Sequence, residues 1–135
     1  MKTAITNINN APKPSGTYSP AIRVGNTVYL AGQIPLVPAT NEIIADDFSQ
    51  QVRQVFENLQ VVCQAAGGNL NDLVKINIYL TDLSNFPQVN HIMPEFFTEP
   101  YPARTTIEVS ALPKGSQIEI DGILVLGTGP SLKKL

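Results

Sequence analysis

Apolar and polar positions alternate along this chain in segments that change period several times, and the changes divide it into elements. Ala21–Val24 and Thr27–Ile34 are β-prone runs separated by Gly25-Asn26, a two-residue turn signal, and predict a hairpin. Pro35–Asn41 holds two prolines and a polar end and reads as a loop. From Phe48 the period lengthens: Phe48, Val52, Val55, Phe56, Leu59, Val62, Cys63 and Ala66 recur at three- and four-residue steps. That is one apolar stripe on a helix, capped by Asp46 or Asp47 and stopped by Gly67-Gly68. Leu73–Thr81 returns to strict alternation, with Val74, Ile76, Ile78 and Leu80 on the core side, and predicts a half-buried strand. Phe86, Val89, Met93, Phe96 and Phe97 keep helical spacing after caps in Asp82–Asn85. Pro94 cannot donate to the carbonyl of Asn90, so a kink or break is expected there.

Arg104–Ser110 and Gln117–Leu126 complete the pattern as two strands around a Pro113-Lys114-Gly115 turn, read as a second hairpin. Burial then sets a register: Ile107 against Ile120 and Val109 against Ile118, all in the core. The opposite face carries Arg104, Thr106, Glu108, Glu119, Asp121, Ile123 and Val125. This register places Glu108 opposite Glu119, where like charges favour one shared proton, and sets Arg104 about 13 Å along the strand from Glu119. A site using both would draw them from different subunits. The alternative reading pairs each carboxylate with a lysine or with water. Aliphatics mixed with charges on a face without helices point to contact with another subunit.

The order of hairpin, helix, strand, helix and hairpin predicts an α+β single domain. One mixed β-sheet would carry two helices packed on one face. It spans residues 1–135, with 1–14 as an arm holding at most one short strand and 127–135 as a short tail. A hydrophobic content of 43% with 15% charged residues suits a globular chain. A net charge of −2, with no basic stripe, argues against nucleic-acid partners. One cysteine, Cys63, forbids an intrachain disulfide or a thiolate metal cluster. It fits the core, and His91, the only histidine, fits a helix surface. No signal-peptide pattern or membrane-spanning run is evident, so a cytoplasmic location is expected.

The stretch Tyr101-Pro-Ala-Arg-Thr-Thr-Ile-Glu-Val-Ser-Ala-Leu-Pro-Lys-Gly, closing with Ile118-Glu-Ile-Asp, resembles the signature of the Rid (YjgF) family, RidA subgroup. Gly16-Thr-Tyr-Ser-Pro-Ala, Tyr29-Leu-Ala-Gly-Gln-Ile-Pro, Val74-Lys and Val89-Asn with Phe96-Phe97 match in order and spacing, so the similarity covers nearly the whole chain. The resemblance implies a chorismate-mutase-like homotrimer with sites between subunits. It also implies hydrolysis of 2-imino and 2-enamino acids such as 2-aminoacrylate to 2-keto acids and ammonia. No cofactor and no metal is implied.

By the same resemblance Arg104 clamps the substrate carboxylate and Glu119 handles water and protons. Tyr18 lines the pocket, backbone approaches the ligand at Gly32, and Asn90 occupies a further pocket position. Thr106 stands where some members carry cysteine, which leaves only its main chain or hydroxyl for a binding role. The chemistry suits these residue types. Arginine is permanently charged and grips a planar carboxylate with a two-pronged fork, and one carboxyl group of suitable pKa can shuttle the protons of hydrolysis. The same pocket would equally serve a noncatalytic metabolite sensor. RNA cleavage, also ascribed to family members, lacks a basic surface or a histidine pair here.

Overall fold

The computed structural model describes residues 1–130, so the end of the tail expected at 127–135 lies outside the described residues. Six strands form one sheet: β1 (Thr3–Ile5), β2 (Ala21–Val24), β3 (Thr27–Gln33), β6 (Leu73–Leu80), β7 (Ala103–Glu108) and β8 (Ile118–Val125), in the spatial order β1-β2-β3-β8-β6-β7. Two short strands, β4 (Leu36–Val37) and β5 (Glu42–Ile43), pair across the segment that the sequence predicts as a plain loop. Helices α1 (Phe48–Ala65) and α2 (Phe86–Phe96) pack on one face of the sheet, the expected α+β arrangement.

Local chemistry accounts for the boundaries. Asp47 caps α1 by accepting from the Gln50 amide at 2.9 Å, and the helix ends where Gly67 takes φ +98°. The predicted stripe is the buried one: Val52, Val55, Phe56, Leu59, Val62 and Cys63 are at most 1% exposed. Phe56 packs its ring against Phe96 and Phe97 of the α2 end, with centroids 5.2 and 5.4 Å away. Asp82 caps a single 3-10 turn, Leu83–Asn85, that leads into α2. Despite Pro94, α2 continues to Phe96, so the proline falls within its last turn and the expected break does not occur. His91 is exposed, as its position on the helix predicts.

Two register expectations are corrected. Val74 is 42% exposed, because a bulge between Leu73 and Lys75 gives the core position to Leu73 instead. More consequentially, β7 and β8 do not form a hairpin. β6 lies between them, antiparallel to β8 and parallel to β7. Its side chains Ile78 and Leu80 are the apolar partners of Ile120 and Ile118 in β8, and α2 makes the crossover that parallel pairing to β7 requires. The predicted pairs Ile107–Ile120 and Val109–Ile118 therefore do not exist, and Glu108 does not face Glu119. Tyr79 stands between Ile107 and Glu119. β8 faces as predicted, with Ile118 and Ile120 fully buried, whereas β7 is inverted: Ile107 points outward and is 45% exposed.

Candidate functional site

The inversion of β7 decides where the chemistry sits. Arg104 pairs with Ile76 and Thr106 with Ile78, so both project from the helix-bearing face of the sheet. Glu119 pairs with Tyr79 and Asp121 with Asn77, on the helix-free face. One protomer thus holds Arg104 and Glu119 on opposite faces, in place of the single face expected from sequence.

Each anchors its own cleft. The first, about 440 Å³, is walled by Pro12–Ser15, Tyr18, Ala31–Ile34, Pro113, Lys114 and Glu119. The second, also about 440 Å³, is walled by Asn90, Met93, Pro94, Tyr101, Pro102 and Arg104. Of the residues singled out by sequence, Tyr18, Gly32 and Glu119 come together in one, and Asn90 and Arg104 in the other. Thr106 lines neither, and its hydroxyl is buried with no hydrogen-bond partner among the described residues.

In the Glu119 cleft the backbone explains the side-chain placement. β3 pairs regularly with β8 until Leu30–Gly122 and resumes at Gln33–Ile120, so Ala31 and Gly32 together oppose Asp121 in a bulge. The Glu119 carboxyl group folds over Gly32. A Cβ there would lie 2.9 Å from its carboxyl carbon, so glycine is what lets the acid occupy this position. Burial raises the Glu119 pKa above the usual carboxylate value, and the nearby Asp121 charge adds to the effect. Asp121 itself accepts from the Asn77 amide at 2.7 Å and the Tyr79 hydroxyl at 3.0 Å. Burial, and then that bond to Asp121, raise the Tyr79 pKa.

Three amides of α1 that the apolar stripe concealed stabilise the cleft wall. Asn58 is buried and donates to the Leu36 carbonyl at 2.9 Å, while Gln54 donates to the Asn58 side chain at 2.9 Å. Gln51 accepts from the Gln117 amide at 2.9 Å, at the entrance to the strand that carries Glu119. Lys114 was read only as part of a turn. It adopts φ 57° and donates to the Asn41 carbonyl at 2.8 Å, closing the cleft from the other side.

In the second cleft α2 presents Phe86, Asn90 and Met93 on one helical face. The Arg104 guanidinium carbon lies 5.0 Å from the centroid of the Phe86 ring, and Nη1 donates to the Met93 sulfur at 3.2 Å. Burial lowers the Arg104 pKa, the direction expected for a cation partly withdrawn from water. Among the described residues no acidic side chain bridges it, and the ion pair formed there joins Arg53 to Glu95. A partly desolvated cation with a thioether and a ring for neighbours is suited to receive an anion from outside. No group of three or more His, Cys, Asp or Glu residues suited to a metal occurs among the described residues. There too, no helix is long and apolar enough to cross a membrane.

The family described as endoribonuclease L-PSP matches residues 8–126. A 2-iminobutanoate/2-iminopropanoate deaminase of Dermatophagoides farinae is 44% identical over 116 residues, 86% of this chain and 91% of that protein. A RutC family protein of Pyrococcus horikoshii is 49% identical over 114 residues, 84% of this chain and 90% of that protein. The crystal structure of RidA from the Antarctic bacterium Psychrobacter sp. superposes with a TM-score of 0.85 at 49% identity, covering 90% of this chain and 99% of that one.

Proposed function

We propose a reaction for this chain from the premise that it belongs to the Rid (YjgF) family: hydrolysis of 2-imino acids and their enamine tautomers to 2-keto acids and ammonia. The observation that carries the reading is Arg104, a cleft-lining guanidinium partly removed from water and without an acidic partner among the described residues. The carboxylate of a 2-imino acid supplies the missing charge, and the planar fork aligns the adjacent C=N.

Arg104 and Glu119 lie on opposite faces of one sheet, so the complete site forms between copies of the chain. The Arg104–Asn90 cleft of one protomer faces the Tyr18–Gly32–Glu119 cleft of the next in a homotrimer. Glu119 with a raised pKa retains a proton closer to neutrality. It protonates the imine nitrogen, then as carboxylate takes a proton from the water attacking carbon, returns that proton to the nitrogen so that ammonia leaves, and recovers the hydroxyl proton as the carbonyl forms, which restores the acid. Tyr18 covers the substrate, the Gly32 backbone allows close approach, and Asn90 offers an amide to the substrate's polar end. Thr106 contributes through its main chain beside Arg104. Positioning and one acid/base group suffice, because imines already react with water. The reaction as proposed draws on the protein's own side chains and main chain and on water, and takes place in the cytoplasm.

The test is turnover of 2-iminopropanoate generated in situ from alanine by an amino-acid oxidase. Arg104→Ala is expected to reduce keto-acid release to the enzyme-free rate; kinetics unchanged in that variant would refute the clamp. If the unaltered chain binds 2-oxobutanoate but gives no rate above background, it is a metabolite sensor and the catalytic reading falls.

A further inference from the structure

We propose that Met93 is a positioning residue that holds the Arg104 fork ready for a carboxylate without neutralising it, a role that rests on the clamp reading above. Phe86, Asn90 and Met93 recur at four- and three-residue steps and so share one face of α2. The first and last of them touch the guanidinium: the ring at 5.0 Å and the sulfur at 3.2 Å. Met93 is 6% exposed and lies at the floor of the cleft, so its thioether is fixed by packing rather than free to follow the arginine.

The choice of acceptor matters. Arginine carries five N–H donors in a rigid fork, and an uncommitted fork samples many orientations. A carboxylate in place of Met93 would fix the fork but cancel its charge and compete with substrate. An aliphatic side chain would preserve the charge but provide no acceptor. A thioether is a weak, uncharged acceptor: it occupies one N–H and leaves the other donors and the full positive charge for the ligand. The Phe86 ring acts in the same sense, steadying the cation by its π-face without forming an ion pair.

Met93→Leu, Met93→Gln and Met93→Glu separate these effects, with Arg104→Ala as the benchmark. Each is measured by KM and kcat for 2-iminopropanoate and by calorimetric Kd for 2-oxobutanoate, a carboxylate that does not react. Thermal unfolding is followed in parallel. Loss of the acceptor in Met93→Leu is expected to raise KM and Kd about five- to tenfold, the equivalent of one net hydrogen bond, with kcat nearly unchanged. Met93→Gln, a neutral acceptor, is expected to restore both toward the parent. Met93→Glu is expected to abolish binding of 2-oxobutanoate, like Arg104→Ala.

A folded Met93→Leu variant with parental KM and Kd, while Arg104→Ala is inactive, would overturn the role of Met93 and leave the clamp standing. Full activity in Arg104→Ala would instead overturn the clamp and this inference together. If Met93→Leu fails to fold, the near-isosteric Gln and Glu variants decide: equal affinity for 2-oxobutanoate in both would also overturn the proposal.

Discussion

Opposite placement of Arg104 and Glu119 makes a prediction that a site within one protomer could not meet. Take two variants, Arg104→Ala and Glu119→Gln, each expected to be nearly inactive. In an assembly of both, the proposed shared site takes its arginine from one copy and its acid from the next. With random mixing at equal amounts, about half the copies bring an intact Arg104 and about half an intact Glu119, so about a quarter of sites are whole. The unfractionated mixture should therefore recover about a quarter of the parental rate, and the isolated mixed trimers, with one whole site among three, about a third. The opposite faces assigned by the Ile76–Arg104 and Tyr79–Glu119 pairings are what generate this number. The assay is subunit exchange or co-refolding of differently tagged variants, isolation of the doubly tagged species, and turnover of 2-iminopropanoate. Mixing Arg104→Ala with the double variant provides the control, since no whole site forms. Activity no higher than that control in isolated mixed oligomers would refute the shared site.

Three further outcomes follow from the geometry. Gly32→Ala places a Cβ 2.9 Å from the Glu119 carboxyl carbon and forces the acid aside; kcat should fall about a hundredfold, within the range of a general acid/base, with little change in Tm. A parental kcat would show that Glu119 does not act from this position. The raised Glu119 pKa means that its ionisation opposes folding: stability is greatest below the unfolded-state value and declines as pH rises through the folded one. Glu119→Gln should therefore raise Tm at neutral pH and not at pH 4, and an equal change at both would contradict the burial effect. Cys63 is fully buried and its thiol is pushed up to about 12 by desolvation, with Asp72 adding to the effect. Native protein at pH 8 should resist iodoacetamide and react rapidly once unfolded in urea, so fast native labelling would count against the placement.

Elements whose signals are local were legible in the sequence. The α1 stripe, its Asp47 cap and Gly67 stop, the Gly25-Asn26 hairpin and the core-facing residues of β8 depend on neighbours within a few positions. The placement of β7 depends on a strand some thirty residues earlier, as the pairing of Lys75 with Ala103 illustrates. Periodicity over Arg104–Ser110 is the same whichever strand lies alongside, and Ile107 and Val109 drew the reading toward the wrong face. The motif named candidate site residues without their geometry. Sequence supplied Arg104, Asn90, Gly32, Tyr18 and Glu119, whereas their division between two clefts required the sheet order. Met93 was hidden by its own hydrophobicity, because a methionine at helical spacing reads as core, and it is also core.

Asp121 offers a control that is separate from substrate grip. Its oxygens are already engaged by Asn77 and Tyr79, which fix its carboxylate two residues from the acid. Since that charge is the second cause, after burial, of the raised Glu119 pKa, an exchange at position 121 would retune the pH optimum of the proposed reaction while Arg104 on the far face stays as it is. In that proposal, acid strength and anion recognition rest on different residues. A lineage moving to a more acidic or more alkaline environment can adjust one without rebuilding the other.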